Sequence, residues 1–448
     1  MSASSSQLNP QAQMGAFSRA KDLHKKILFV LIALIVYRLG TFVPIPGINS
    51  IVFQEIFSQN SGGLLGMFDM FVGGAVQRMS IFALGVMPYI SASIIMNLLT
   101  AVNPTLIQLK KDGGEQGRQK INQYTRYGTV FLATLQGYGL AVGLENMVGS
   151  LGSAVIEPGI FFRLTTVITI IGGTLFLLWL GEQITQKGIG NGISLIIFSG
   201  IVANLPSAIA GTFELARTGA LSPFFIIALI IFVLLIIGFI VFMERAQRKV
   251  FVQYPKRQVG NKMFGGEASH MPLKLNMSGV IPAIFASSVL LLPLTLSGLS
   301  GGRGPDSINL LSNFIAPGKP LYLLLYCSLI IFFCFFYTSI VFNPKETADN
   351  LKKNGGFVPG IRPGQDTANY FDYVMTRITF VGALYLALVC VIPEILRSKF
   401  SVPFYFGGTS LLIVVVVMMD TIGQIQSNLL AHQYEDLLKK TDFKGSGL

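Results

Sequence analysis

The side chains that could do chemistry are few in this chain of 448 residues, and their spacing builds no catalytic centre. The three cysteines, Cys327, Cys334 and Cys390, lie inside apolar runs without CxxC or CxxH spacing, so neither a disulfide framework nor a metal site is predicted. The sequence also contains no GxxxxGKT-type phosphate loop, no HExxH pair and no paired carboxylates. We therefore expect no enzymatic activity, no metal and no cofactor.

The composition indicates a membrane protein. Apolar residues make up 52% of the chain and charged residues only 12%, about half the charged fraction of an ordinary soluble domain. A bilayer core of roughly 30 Å needs about 20 apolar residues per helix, because the backbone there can bond only to itself. Ten stretches meet this need: Ile27–Val43, Met79–Val102, Tyr127–Leu144, Leu164–Leu180, Ile189–Phe213, Phe224–Met243, Met277–Leu299, Leu321–Phe342, Ile378–Pro393 and Val402–Met419.

The positions of the basic residues orient these ten spans. Both termini then lie on one side of the membrane, where 25 of the 33 Lys and Arg residues fall, with seven opposite and Arg38 inside the first span. Loops rich in Lys and Arg stay in the cytoplasm. The N-terminal tail is rich in Ser and Gln, and no small-residue cleavage motif of a signal peptide follows the first apolar run. We expect a multi-pass protein of the cytoplasmic membrane that keeps its first span and has both termini in the cytoplasm.

Two loops on the basic side, residues 244–276 and 343–377, are each about 30 residues long, a length typical of functional loops. In the first, the strand-like run Val250–Tyr254 is predicted to form a hairpin with the residues around Met263 and Phe264. The second joins a short helical stretch to Gly- and Pro-rich sequence that predicts a rigid turn around Arg362. A docking role and a purely electrostatic attraction to lipid headgroups are both compatible with these loops.

A short apolar segment precedes the second span. Leu64–Val72 lies between glycine pairs and, as a nine-residue helix, would cover about 14 Å, too little to cross a bilayer. It is therefore either an interfacial linker or a re-entrant piece that swings on its glycines. Internal Gly and Pro residues also interrupt the second, fifth and seventh spans, a pattern found in transport folds with a central pathway.

Ionisable residues inside spans are typical of ion-coupled transporters, and here they are scarce. Only Arg38, Asp420 and Glu182 approach the spans, each near an end. A wide path with an apolar constriction, which can gate without any charge, fits these residues better. Two alternatives stay open. A small-solute or ion transporter is favoured by the broken helices, and a membrane anchor for ribosomes is favoured by the basic loops.

Long runs of the sequence resemble one known family. The chain is similar to the SecY family of protein-conducting channels over nearly its whole length, with divergence in the N-terminal tail, two outer loops and the last dozen residues. The resemblance is carried by the runs KKILFVLIALIVYRLGTFVPIPG, MFDMFVGGAVQRMSIFALGVMPYISASIIMNLLT, QYTRYGTV, WLGEQITQKGIGNGISLIIF, PLKLNMSGVIPAIFASS, FFCFFYTSIVFNPKETADNLKKNGGFVPGIRPG and VPFYFGGTSLLIVVVV.

This resemblance implies an all-α polytopic membrane protein with ten transmembrane helices in two pseudo-symmetric five-helix halves around a central pore. It implies a passive channel through which unfolded secretory chains cross the membrane, with a lateral gate between the second and seventh spans that releases membrane proteins into lipid. The expected divisions are a cytoplasmic tail 1–26, an N-terminal half 27–213 with a plug segment 62–74, a C-terminal half 224–425 with the loops 244–276 and 343–377, and a cytoplasmic tail 426–448.

The resemblance also assigns site residues. The pore ring falls on Val86, Ile90, Ile193, Ile197, Ile284 and Ile413, where the valine stands at a position at which family members often have isoleucine. The plug falls on Leu64, Leu65, Met67, Phe68, Met70 and Phe71. The lateral gate falls on Gln136 and Asn276, whose amides would bond to each other or to water, and docking of SecA or the ribosome falls on Lys256, Arg257 and Arg362.

The spacing of the ring residues suits a seal. Val86 and Ile90 are four residues apart, as are Ile193 and Ile197, so each pair shares one face of a helix. β-Branched side chains are stiff, and a ring of them can close against ions while moving with whole helices around a translocating chain.

The resemblance further implies a set of partners. SecE is expected to hold both halves from outside and SecG to be peripheral, while the motor ATPase SecA and the ribosome bind the basic loops. Basic side chains there would contact phosphates of ribosomal RNA. Signal sequences, unfolded secretory chains and the lipid bilayer complete the set, with SecDF and YidC as further candidates.

Overall fold

The structure is a computed structural model that describes residues 21–60, 69, 72–149, 152–218, 222–254, 257–259, 262–264, 268–299, 319–400 and 408–445. The described chain is mostly helical. Its labelled helices are α1 Lys21–Gly40, α2 Ser50–Asn60, α3 Met87–Val102, α4 Pro104–Asp112, α5 Gly114–Glu145, α6 Ile160–Lys187, α7 Gly192–Arg217, α8 Pro223–Arg245, α9 Ile281–Leu299, α10 Pro320–Val341, α11 Pro344–Lys353, α12 Gln365–Phe400 and α13 Gly408–Gly445. The strands are β1 Val148–Gly149, β2 Gly152–Ser153, β3 Gln247–Gln253, β4 Arg257–Val259, β5 Lys262–Phe264 and β6 Ala268–Lys274.

Each of the ten predicted spans falls on a helix, in order α1, α3, α5, α6, α7, α8, α9, α10, α12 and α13. By length and apolarity alone, six helices of the described residues could cross a bilayer, or seven if the bent pair α3–α4 counts as one. This pair bends by 100° at Asn103, because Pro104 forces the residue before it into an extended conformation.

The second span begins later than predicted, at Met87 rather than Met79. Residues 80–86 form turns, and Gly85 has a φ of 54°, in the left-handed region that glycine adopts without strain. Pro88 then stands in the first turn of α3, where its missing N–H costs no helical bond. Gly85 and Pro88 therefore delay the start of the helix, although the apolar sequence begins earlier.

Two helices extend past the ends of their spans. Helix α12 begins at Gln365, inside the predicted loop 343–377, and α13 continues to Gly445, through most of the predicted tail 426–448. Both extensions carry charged residues, so they lengthen the helix without lengthening the apolar stretch.

One apolar core joins helices from both halves of the chain. It contains buried side chains of α1, α3, α6 and α7 together with side chains of α8, α9, α10, α12 and α13. A second, smaller core packs α2 against the turns before α3 and against parts of α5 and α6. The first core is the place where the two halves meet, and the candidate site lies in it.

The described parts of the two long loops, 244–276 and 343–377, pack as one body that we call the loop unit. Strand β3 pairs antiparallel with β6 along its full length, and β4 pairs with β5. Gln253 and Phe357 exchange backbone hydrogen bonds of 2.9 and 3.0 Å, which join the hairpin to the second loop. A shared apolar core fixes both loops on the first turns of α12.

The predicted hairpin is confirmed, but its predicted partner strand is wrong. Val250 pairs with Met271 of β6, whereas Met263 and Phe264 lie on β5 and pair with β4. Val250 is buried in the core shared with α12, and the register of a strand follows the face that is buried.

Candidate functional site

Side chains from five helices, α1, α3, α7, α9 and α13, meet at a constriction in the shared core, which we call the waist. Its residues line one cavity of about 10 Å³, enough for at most a single water molecule. The predicted ring residues that line it are Val86, Ile90, Ile197, Ile284 and Ile413. The sixth, Ile193, does not line the cavity but packs against the same core.

The waist is built near the beginnings of its helices. Ile90 lies in the first turn of α3 and Ile284 in the first turn of α9, and Gly85 and Gly279 precede these helices with positive φ angles of 54° and 60°. Helix α7 starts at the Asn191 side chain, whose oxygen accepts hydrogen bonds from the first backbone N–H groups. Irregular backbone therefore leads up to the constriction, as the interrupted spans predict.

The lining of the waist is almost entirely apolar. The ring residues Val86, Ile90 and Ile413 are 5%, 6% and 1% exposed. Ser287 and Tyr37 are the polar side chains of the lining, and both have hydrogen-bond partners. Ser287 Oγ donates to the Ile284 carbonyl at 2.9 Å, and the Tyr37 hydroxyl donates to the Val72 carbonyl at 3.0 Å. No Asp, Glu, His, Lys or Arg side chain is among the described residues that line the waist.

The backbone beside the waist is held by directional bonds to α1. We call residues 72–85 the root turn, because they follow Phe71, the last of the predicted plug residues. The Tyr37 hydroxyl donates to the Val72 carbonyl at 3.0 Å, and the Arg38 guanidinium donates to the Gly73 carbonyl. Val72 also lines the cavity, so the root turn and the waist touch at this residue.

The Asp69 carboxylate and helix α7 also stabilise the root turn. The Asp69 carboxylate accepts hydrogen bonds from the backbone N–H groups of Val76 and Gln77, both at 2.9 Å. Asn204 of α7 donates to the Asp69 carbonyl at 3.4 Å. A Cβ added at Gly73 would lie 2.8 Å from the Gly200 Cα, so α7 leaves no room for a side chain there.

The sequence did not predict these contacts of the root turn. The predictions for the plug residues, in turn, cannot be compared with the structure. The contacts of Tyr37 and Arg38 reach 35 residues along the chain, and no local motif signals them. The predicted plug residues Leu64, Leu65, Met67, Phe68, Met70 and Phe71 lie outside the described residues.

The two predicted gate residues are both buried. Helix α9 packs against α3 and α5 on one side and against α10 on another. Asn276, just before α9, donates to the Glu244 carboxylate at 2.6 Å and to the Gly279 carbonyl at 3.1 Å. The Gln136 Oε1 atom has no hydrogen-bond partner among the described residues. Within these residues no bond joins the two amides, and Glu244 is an unpredicted partner.

Ion pairs near both ends join α5 to α6. Arg126 contacts Glu182 at 2.6 Å near one end, and Arg163 contacts Glu145 at 2.6 Å near the other. Hydrogen bonds from the Arg163 guanidinium hold the pKa of the Glu145 carboxyl below its ordinary value. Helix α5 is therefore tied to α6 by charge, while no described ion pair ties it to α9.

The predicted docking residues divide between described and undescribed positions. Arg362 is exposed, in a turn between Gly360 and Gly364, whose φ angles are 84° and 114°. Arg257 lies on β4, and Lys256 is outside the described residues. The turn predicted around Arg362 is present and depends on its two glycines.

The sequence comparisons give one consistent result. A family model described as SecY matches residues 80–422. A relative named protein translocase subunit SecY, from Escherichia coli strain K12, is 57% identical over 427 residues, which cover 95% of this chain and 96% of the relative. A relative with the same name from Rickettsia conorii is 56% identical over 423 residues, covering 94% of this chain and 97% of the relative.

Solved structures share the fold at low sequence identity. The structure of a protein-conducting channel gives a TM-score of 0.61 at 16% identity, covering 90% of this chain and 92% of that chain. A structure from work on the plug domain of the SecY protein gives 0.63 with the same identity and coverage. Sec61 in the canine ribosome–channel complex gives 0.59, again at 16% identity and with 90% and 92% covered.

Proposed function

Because the chain belongs to the SecY family, we propose that the waist is the closed constriction of its protein-conducting pore. The protein is the channel-forming subunit of a protein translocase, a polytopic membrane protein with no enzymatic activity of its own. Unfolded secretory chains pass through it lengthwise, and membrane proteins leave it sideways into lipid. Energy for transport must come from a partner.

The observation that carries the proposal is the aliphatic lining of the waist. Helices of both halves contribute to it, since α3 and α7 belong to the first half and α9 and α13 to the second. Dispersion contacts between aliphatic groups have no fixed direction, so they can re-form around a polypeptide of any sequence. A dry apolar constriction also opposes the passage of ions.

A crosslinking experiment tests this directly. A photoreactive amino acid at Ile90 should form an adduct with a secretory chain stalled in transport, because Ile90 lines the cavity. The same probe at Ile95 is the matched control, since Ile95 lies on the same helix and is 43% exposed on its outer face. Equal labelling at both positions, or none at Ile90 during active transport, would contradict the proposal.

A transporter of small solutes is the weaker candidate. A cavity of about 10 Å³ cannot enclose a metabolite, and its lining contains no ionisable group other than the Tyr37 phenol. Saturable uptake of a small solute by the purified protein, unaffected by a secretory chain in the pore, would favour the transporter.

Around this pore, we propose that the seams of α9 with α3 and α5 form the lateral gate and that Gln136 and Asn276 set its stability. The unbonded Oε1 atom of buried Gln136 makes the closed packing less stable than a fully paired one.

The root turn would anchor a plug formed by the segment 62–74. A relative's structure concerns a plug domain that stabilises the closed state, which supports this assignment.

The loop unit is the proposed docking surface for SecA or the ribosome. Arg362 is exposed in the turn between Gly360 and Gly364, and structures of related channels include complexes with ribosomes. Arg362→Glu should abolish SecA-driven transport, whereas Lys187→Glu, an exposed position on the same side outside the loop unit, should leave it intact. Equal transport by the two variants would remove the docking role.

The remaining assignments follow from the charge distribution and the family. We propose the halves 27–213 and 224–425, a location in the cytoplasmic membrane, and both termini in the cytoplasm, because Lys and Arg are concentrated in the loops on that side. SecE, SecG, SecDF and YidC are proposed as membrane partners, and signal sequences as ligands of the gate.

A further inference from the structure

Four aromatic side chains, which we call the ring stack, run from the root turn to the exposed face of α6. They are Tyr37 of α1, Phe82 of the root turn, and Phe176 and Trp179 of α6. Tyr37 stacks on Phe82 with ring centroids 6.1 Å apart, and Phe82 stacks on Phe176 at 5.9 Å with an interplanar angle of 5°. Phe176 contacts Trp179 at 5.8 Å. Rings at such distances attract each other beyond the area that they bury.

The second ring of the stack occupies a slot between two helices. Phe82 is 2% exposed. A Cβ added at Gly40 of α1 would overlap the Phe82 ring. A Cβ added at Gly173 of α6 would overlap the Ile81 carbonyl and lie 3.2 Å from Phe82 Cδ1. The two glycines therefore let α1 and α6 clamp the root turn at Phe82.

The two ends of the ring stack lie in different surroundings. At one end, Tyr37 is 1% exposed and its hydroxyl donates to the carbonyl of Val72, which lines the waist. At the other end, Phe176 and Trp179 are 37% and 53% exposed. Trp179 is the only tryptophan of the chain. The ring stack thus leads from the waist to a residue whose fluorescence can be followed.

We propose that Phe82 and Phe176 are positioning residues, which hold the Tyr37 hydroxyl in place beside the waist while the channel is closed. This proposal rests on the proposed function of the waist as the closed pore. The hydrogen bond from Tyr37 to Val72 depends on distance and angle, so it requires that the phenol ring stay in one position. The stacked face of Phe82 supplies that restraint, and Phe176 supports Phe82 from the other side.

The same contacts connect opening of the pore to the exposed end of the ring stack. A polypeptide cannot pass a cavity of about 10 Å³ unless Val72, which lines it, moves. Val72 and Phe82 belong to the same turn, so a movement of the turn takes Phe82 out of its slot. Phe176 then loses its partner, and the Trp179 indole becomes free to reorient.

Fluorescence anisotropy of Trp179 tests this connection in the reconstituted translocase complex. Subtracting the signal of the Trp179→Phe complex removes the contribution of tryptophans in partner subunits. Insertion of a stalled secretory chain should lower the residual anisotropy of the indole, because Phe82 then no longer packs on Phe176. In Phe176→Leu the anisotropy should already be low and should not fall further. An unchanged anisotropy on insertion into the wild-type complex would overturn the proposal.

A second measurement tests whether Phe176 acts through Tyr37. Phe176→Leu should raise the resting ion conductance about twofold, because one aromatic contact is lost. Phe176→Tyr keeps the ring and should leave the conductance at the wild-type value. In a Tyr37→Phe background, Phe176→Leu should add no further rise, since the hydroxyl that it positions is already absent.

Phe161→Leu is the matched control, because it makes the same change on α6 at a position that is 84% exposed and outside the ring stack. It should leave both the anisotropy and the conductance unchanged. Equal conductance of Phe176→Leu and Phe161→Leu, or additive effects of Phe176→Leu and Tyr37→Phe, would overturn the positioning role. Such a result would leave the crosslinking at Ile90 unchanged, so it is distinguishable from a failure of the proposed function.

Discussion

The waist and the root turn are neighbouring layers of one pathway, but they are closed by different chemistry. Aliphatic side chains from four helices pack at the waist without a single directional contact between the ring residues. The root turn is held by hydrogen bonds that Tyr37 and Arg38 donate to backbone carbonyls and by those that the Asp69 carboxylate accepts from backbone N–H groups. Val72 and Gly85 belong to both layers, and Val72 does so through its side chain in one and its carbonyl in the other.

This difference assigns separate tasks to the two layers. Dispersion contacts are individually weak and can be exchanged for contacts with a passing chain, so the waist can yield and close again. Hydrogen bonds of fixed geometry specify one position and are lost together when that position is left. We propose that the waist is the seal and that the root turn keeps the neighbouring backbone in place while the seal is closed.

The largest expected effect comes from making the waist polar. Ile90→Asn places an amide among aliphatic side chains, and burying such a group without a partner costs about 1–3 kcal/mol. Since each 1.4 kcal/mol is about tenfold in an equilibrium, we expect the resting ion conductance to rise about ten- to a hundredfold. Single-channel or bulk current across a planar bilayer measures this.

The control for this prediction lies five residues further along the same helix. Ile95→Asn makes the same chemical change at a position that is 43% exposed, outside the waist. It should lower the stability of the protein in the membrane without raising the current. Equal currents in the two variants would show that Ile90 is not part of the seal.

Gly73→Ala in the root turn should have an intermediate effect on the resting ion conductance. Gly73 has a φ of 71° and approaches Gly200 closely, so an alanine is strained by about 1–2 kcal/mol in addition to the clash. The root turn should shift, and thermal unfolding should begin earlier. The conductance should rise less than tenfold, because the waist residues are unchanged.

Gly211→Ala on α7 is the matched control for this substitution. An added Cβ there meets no atom within 4 Å, and alanine is the better helix former. Its unfolding temperature should stay the same or rise. A fall equal to that of Gly73→Ala would argue against strain in the root turn as the cause.

The ten spans could be predicted because each needs its own run of apolar residues, and such runs are local. The ring pairs are local as well, since residues four apart share a helix face wherever the helix lies. The partner of β3 was not predictable in this way. Its strand β6 contains Pro272, which donates no hydrogen bond and weakens the strand pattern, although the free edge of a two-stranded ladder tolerates it.

The hydrogen bonds of the root turn could not be predicted from the sequence either. Tyr37 and Val72 are brought together by the packing of α1 against the shared core, and the hydroxyl bonds to a carbonyl that any residue could supply. Nothing in the identity of Val72 marks it as an acceptor. A hydrogen bond from a side chain to a backbone carbonyl 35 residues away therefore cannot be predicted until the fold is known.

The smallest expected effect, and the one that best separates the two layers, is that of Tyr37→Phe. It removes one hydroxyl that donates to the Val72 carbonyl at 3.0 Å and leaves the ring in place, so about 1 kcal/mol should be lost. Arg38 still holds Gly73, and the conductance should therefore rise less than about threefold. Tyr124→Phe on the exposed side of α5 is the control and should have no effect. A rise as large as that of Ile90→Asn would mean that the root turn and the waist open as one cooperative seal, because a single bond in one layer would then decide the packing of the other.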